Sequence, residues 1–219
     1  MLIQWCLKGV RESPTFSDAQ AAAVLTSTGL ASAYVYTDQT VHTRSDAFAD
    51  AHAALSATAL DDHVNDFSSV GARTPYISLG AGCRTIDPVT GYALTHSAFD
   101  TALDFATGAV WGAVTSPGYV FKLWLIVTPK PAPSLPSYGE EVRDLNVFEK
   151  YTIFHKEGEI AAKLVVPHRQ IESVTKYRAD GSLDTSMNWV HFGLDPGTEG
   201  RCRAAYLPPE TVNNVRDLL

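Results

Sequence analysis

Residues 119–127 (YVFKLWLIV) constrain this chain more than any other stretch. The run is apolar on both faces, and a strand of that kind must be covered on both sides and paired along its edges. It predicts a central, buried strand. Around it, the first half of the chain alternates short strands with helices, and the second half is mostly strands. Residues 2–10 (LIQWCLKGV) read as a first strand with Ile3, Trp5 and Leu7 on one face, ending in a turn through Pro14. Helices are expected over 19–26, 47–65 and 98–107, the last with Phe99, Ala102, Leu103 and Ala106 as its apolar face. Residues 33–41 and 74–82 read as extended, 84–94 as a loop, and 140–147 as an edge strand or a helical turn. The prolines of 129–136 forbid a central strand there. Residues 171–178 form a further strand, and 182–219 are less periodic, with a short terminal helix after Pro208-Pro209. Trp111 and Trp124 are expected in the core; Arg44, His52 and His63 are expected at the surface. The pattern is α+β in a single domain, 1–219, with a core over 2–178 and a C-terminal extension over 182–219.

Charge and cysteine usage narrow the function classes. A net charge of −7 argues against a general nucleic-acid-binding surface, because phosphate contacts need clustered Lys and Arg. No apolar run approaches the roughly 20 residues of a membrane helix. The first dozen residues lack the basic, apolar and small-residue order of a signal peptide, so the location is expected to be intracellular, or that of a mature or processed secreted protein. Cys6, Cys83 and Cys202 have no paired spacing, and their disulfide state stays open; the seven histidines form no ligand pair on a predicted helix, so no metal is expected.

The stretch with the clearest chemical content is 156–167 (KEGEIAAKLVVP), where Glu157 and Glu159 head an apolar run. Ile160, Ala162, Leu164 and Val166 alternate before Pro167 stops the run, which predicts a strand. On one continuous strand the two acids share a face and stand roughly 6–7 Å apart. That spacing suits one small ligand, and it equally suits a solvated strand start, where paired acids are common.

The surroundings of this pair resemble those of the ADP-ribosyltransferases of the cholera-toxin and pertussis-toxin type. Glu157-Gly158-Glu159 followed by Pro167-His168-Arg169-Gln170-Ile171 is similar to that family's Glu-x-Glu strand and the turn after it. Pro75-Tyr76-Ile77-Ser78-Leu79 resembles the strand carrying its Ser-Thr-Ser motif, with only the first hydroxyl, Ser78, kept. The first strand corresponds to the family's arginine strand. The blocks span most of 2–178. The resemblance implies an ADP-ribosyltransferase-like fold, with N-terminal helices and a split mixed β-sheet core, and NAD⁺ as co-substrate without a metal.

It also implies roles. Breaking the nicotinamide–ribose bond develops an oxocarbenium-like sugar, which a carboxylate stabilises. Glu159 would support that cation and hold the ribose hydroxyl, Glu157 would handle an acceptor favoured to be of arginine type, and Ser78 would keep Glu159 aimed. Arg11 or Lys8 would meet the phosphates. Lys8-Gly9 lies nearer the family's Arg-Gly placement, but a lysine lacks the bidentate fork, which favours Arg11. Tyr76, Ser78 and Gly80 join them in the cofactor-binding set. Tyr151, Phe154 and His155, in the loop before the acid pair, would recognise the substrate or cap the core. The acceptor's identity, the choice between toxin and endogenous modifier, and the oligomeric state are not legible. Two other readings remain: a non-catalytic binding module of the same fold, and an unrelated hydrolase using the two glutamates as acid and base.

Overall fold

The computed structural model describes residues 2–37, 53–71, 73–86, 89–90, 93–112, 115–128, 138–141, 158–190 and 206–207. In chain order these give β1 (Leu2–Arg11), α1 (Asp18–Ala23, continued by a π-turn over Val24–Thr28), β2 (Leu30–Ala31), α2 (Ala33–Thr37), α3 (Ala57–Asn65) and α4 (Phe67–Val70). Next come β3 (Tyr76–Gly80), the hairpin of β4 (Cys83–Ile86) and β5 (Ala93–His96), α5 (Ala98–Thr107), β6 (Gly118–Thr128) and β7 (Tyr138–Glu141). Then follow β8 (Glu159–Lys163), β9 (Val165–Val166), β10 (Ile171–Tyr177), β11 (Leu183–Val190) and β12 (Tyr206–Leu207).

An eight-stranded mixed sheet runs β11-β10-β6-β7-β8-β3-β1-β12, and β6 also pairs with β1. Strands β6, β7, β8, β3 and β1 therefore close a ring. The apolar run of 119–127 explains the geometry: β6 pairs along its whole length with β1, from Leu2↔Val127 to Arg11↔Gly118. Its other edge is shared, with β10 along Gly118–Leu123 and β7 along Ile126–Thr128. Apart from Lys122, whose side chain is 45% exposed, the side chains of 119–126 are buried, as the composition of the run predicts. Trp124 is buried with Ile3 and Ile126, while Trp111's side chain lies outside the described residues.

Helix α5 lies directly on β1 because both surfaces are shaved down. Its buried positions are Ala98, Ala102 and Ala106, one per turn, and Thr107 at its end. Below them, a Cβ on Gly9 would come within 1.9 Å of the Ala102 carbonyl, and one on Gly118 within 1.9 Å of the Ala106 carbonyl. Glycine is required at both by this contact. The expected apolar face was off by part of a turn, since Phe99 is exposed and instead sits edge-on to Tyr177.

Several sequence expectations give way. Residues 33–37 are helical because buried Ser32 accepts the Val35 N–H, outweighing the strand preference of Tyr34 and Val35. Residues 83–86 and 93–96 form a hairpin where a loop was expected. Residues 183–190 are a strand paired to β10 across a register shift at Thr175/Lys176, which hides its periodicity. The described part of the second helix is shorter, Ala57–Asn65. The strand after the acids breaks at Leu164, whose φ of 55° is held by Leu164 N–H to Pro75 O and Ser32 N–H to Leu164 O, each 2.7 Å. The proline-rich connector and the terminal helix lie outside the described residues. No helix among the described residues is long and apolar enough to cross a membrane.

Candidate functional site

Strands β8 and β3 pair antiparallel, with Ser78 opposite Ala161 and Gly80 opposite Glu159. The pleat then sorts their side chains. Ile77, Leu79, Ile160 and Ala162 turn into the main core, while Tyr76 and Ala161 pack against Leu60 and Val64 of α3. Ser78 and Glu159 fall on this second face. Gly80 also pairs with Leu7, so β1 lies one strand beyond Glu159, and the charge of Lys8, the next residue, acts on the acid.

The acid is buried, 7% exposed, and its neighbours are polar. The Ser78 hydroxyl hydrogen-bonds its carboxylate. His63 Nε2 lies 2.8 Å from Ser78 Oγ and 3.8 Å from Glu159 Oε1. His63 Nδ1 lies 2.7 Å from Thr74 Oγ1, which also accepts the Tyr76 N–H at 3.2 Å. Burial pushes the Glu159 carboxyl above its usual range, opposed by the Ser78 hydrogen bond and the charge of Lys8. Burial likewise pushes Lys8 down, opposed by Glu159. His63 is driven down to about 3, by burial first and then by the Lys8 charge, and is neutral at pH 7. Chemically, the arrangement is an acceptor carboxylate with a fixed hydroxyl donor and a nearby cation. It can stabilise positive charge developing against the carboxylate.

His63 corrects the surface placement expected for it: it is 3% exposed. Its signal in the sequence was position. Leu60, His63 and Val64 form an i, i+3, i+4 stripe, which places the imidazole on the buried side of α3.

The other expected residues divide. Arg11 stands three residues past Lys8, so the pleat turns it to the opposite face of β1. There its Nε donates to Ser116 Oγ at 2.6 Å and its guanidinium packs against Gly108, the C-cap of α5. A cation there suits the negative end of a helix, and this geometry does not bring it to Glu159. Tyr76 is buried and spends its hydroxyl on the Ser56 carbonyl at 3.1 Å, anchoring the start of α3 and leaving no ring face for a ligand. Gly80 lies under the first turn of α5, its nearest outside neighbour to a Cβ being the Ala98 carbonyl at 3.6 Å.

Glu157, Tyr151, Phe154 and His155 lie outside the described residues. β8 begins at Glu159, and Gly158, with φ of 56°, turns the chain while its carbonyl accepts the Ala81 N–H at 3.1 Å. No group of three or more His, Cys, Asp and Glu among the described residues could hold a metal ion.

No family model and no curated protein matches the chain. Among solved structures it is similar to an arginine-to-lysine mutant of heat-labile enterotoxin, described for the flexibility of an active-site loop in its A subunit. The TM-score is 0.36 and the identity 16%, over 63% of this chain and 59% of that one. A likeness at that level carries no weight for the chemistry, which rests on the residues themselves.

Proposed function

We propose that this chain is a mono-ADP-ribosyltransferase that uses NAD⁺, with Glu159 as the carboxylate that supports cleavage of the nicotinamide–ribose bond. The observation that carries the reading is Glu159 itself: a buried carboxylate in a sheet, held by the Ser78 hydroxyl and acted on by the charge of the half-buried Lys8. Burying an acid costs stability, and such a cost is commonly met where the charge has a task.

In this reading the C1′–N bond breaks and its electron pair leaves with nicotinamide. Positive charge spreads over C1′ and the ring oxygen, and Glu159 stabilises it in a site of low polarity. Ser78 keeps the carboxylate oriented and supplies no electrons. The acceptor, favoured to be a guanidinium-type side chain, forms the new bond at C1′ and gives its proton to Glu157. With water in that place, the same step is NAD⁺ hydrolysis, a side activity. Lys8 is the cation offered to the phosphates in place of Arg11. No separate domain is assigned; residues 1–219 are taken as one catalytic unit.

Incubation with nicotinamide-labelled NAD⁺ tests the reading. Release that requires Glu159, together with mass added to an arginine-bearing acceptor, is the expected result. Retained hydrolysis with lost transfer in Glu157→Ala would support the acceptor role of that residue, and equal loss of both would count against it.

One observation favours a second reading, a binding module without turnover. A lysine point charge cannot grip a pyrophosphate as a guanidinium fork does, and Arg11 is engaged at Ser116. Calorimetry separates the two: an intact fold that takes up no NAD⁺ at millimolar concentration leaves only the module.

A further inference from the structure

We propose that Thr74 is a positioning residue for Glu159: its buried hydroxyl holds His63 in the Nε2–H tautomer, which directs the Ser78 proton to the Glu159 carboxylate and away from the imidazole. Thr74 is 3% exposed, so its O–H proton must find a partner within the protein. Among the described residues, Thr74 Oγ1 meets only the Tyr76 N–H and His63 Nδ1. The first is itself a donor. The threonine proton therefore goes to Nδ1, which must be bare.

A neutral imidazole carries one proton, so that proton sits on Nε2. From there it donates to Ser78 Oγ at 2.8 Å. Ser78 has a single O–H, and with its oxygen already accepting from the ring, that proton is delivered to Glu159. Each group in the series Thr74, His63, Ser78, Glu159 donates to the next. The reverse arrangement strands two groups. With the proton on Nδ1, the Thr74 O–H loses its acceptor, and Ser78 donates back into the ring and leaves Glu159 without its hydroxyl donor. The ring's place is fixed by packing, with Phe67 edge-on at 5.6 Å and Tyr76 at 5.8 Å. Hydrogen-bond partners, and not ring rotation, then decide the tautomer.

The catalytic half of this inference rests on the proposed function; the tautomer does not. Histidine labelled with ¹⁵N and long-range ¹H–¹⁵N correlation spectra read the tautomer in the wild-type protein, with no variant needed. The expected spectrum shows His63 protonated at Nε2 and bare at Nδ1, in the wild type and in Thr74→Ser. Thr74→Val, which keeps the shape and removes the hydroxyl, should populate the Nδ1–H form. A wild-type ring protonated at Nδ1, or a Thr74→Val ring with an unchanged tautomer, overturns the proposal.

In the activity arm, Thr74→Val is expected to lower kcat for nicotinamide release on the order of tenfold, the scale of one lost hydrogen bond. KM should stay within about twofold, because the change acts on the transition state more than on binding. Thr74→Ser should recover most of the loss. Full kcat in a Thr74→Val protein whose His63 has changed tautomer overturns the positioning role. A wild-type protein that releases no nicotinamide overturns the proposed function and the catalytic half of this one, while the spectra still decide the tautomer.

Discussion

At one end of β1 and β6, Lys176 from β10 reaches Glu12 at 3.0 Å and Asp18 at 2.7 Å, and the Tyr119 hydroxyl lies within hydrogen-bond reach of the same two carboxylates. Beside β3 and β8, Glu159, Lys8 and His63 form the other polar cluster. The two follow opposite electrostatics. In the first, charges of opposite sign touch at a half-open surface, with Asp18 54% exposed and Lys176 12%. Asp18 is held below the usual carboxylate range, by the Lys176 hydrogen bond first, and Lys176 is raised by its partners against its own burial. Each shift favours the charged form, so folding gains from the pairing. In the second, all three groups move toward neutrality, Glu159 up and Lys8 and His63 down, because burial outweighs the partners they have. Folding loses there. One cluster ties two strands, the turn after β1 and a helix together; the other is kept despite its cost.

Acid titration should separate them most sharply. Unfolded, His63 takes a proton near pH 6.5; folded, it resists until about pH 3. Between those values the unfolded state binds one more proton, so stability falls as pH falls. The slope for this one group is about 1.4 kcal/mol per pH unit. Denaturant unfolding from pH 6.5 to 4 should show that slope, and His63→Phe should flatten it. Asp18 works at a lower pH: its contribution is present above its unfolded value and is lost as pH falls through its depressed folded one. An equal slope in both proteins would mean that His63 is solvated.

Glu159→Gln should stabilise the fold by about 1–4 kcal/mol at pH 7, since a neutral isostere removes a buried charge. The sign follows from the raised carboxyl: its protonated form is favoured in the folded state, so stability is lost as pH rises past its unfolded value. The gain should fade near pH 4. A loss of stability at pH 7 would show Glu159 to be structurally paired. Tyr119→Phe, by contrast, should cost about 1.5–3 kcal/mol, the range for hydrogen bonds to charged groups. The edge contact with Phe16 at 5.6 Å should survive it, and nicotinamide release should not change. Lys176→Met should cost less, about 1 kcal/mol, because its partners remain within reach of water. Thermal melts and urea titrations check both.

How far these clusters were legible in the sequence depends on what each residue's neighbours say. Glu159 drew notice as one of two acids heading an apolar run, and Ser78 through the resemblance of its strand to the Ser-Thr-Ser strand. β6 was legible because residues 119–127 leave it no alternative to burial. Strand parity puts Lys8 and Arg11 on opposite faces of β1, but parity alone does not say which of them a ligand would meet. Thr74 and His63 were not legible together: they stand eleven residues apart, and only the packing of α3 on β3 makes them partners. The Lys176 cluster joins residues more than a hundred positions apart, beyond any local pattern. At 183–190 the strand was hidden by the register shift opposite it.

The most direct test of the central claim is nicotinamide release from NAD⁺ by wild-type protein and Glu159→Gln, measured side by side on samples verified as folded. Release by the wild type that drops by about 10²–10³ in the variant, the scale for removing one group that stabilises developing charge, is the result this account predicts. Equal release by the two proteins, with Glu159→Gln folded, would contradict it.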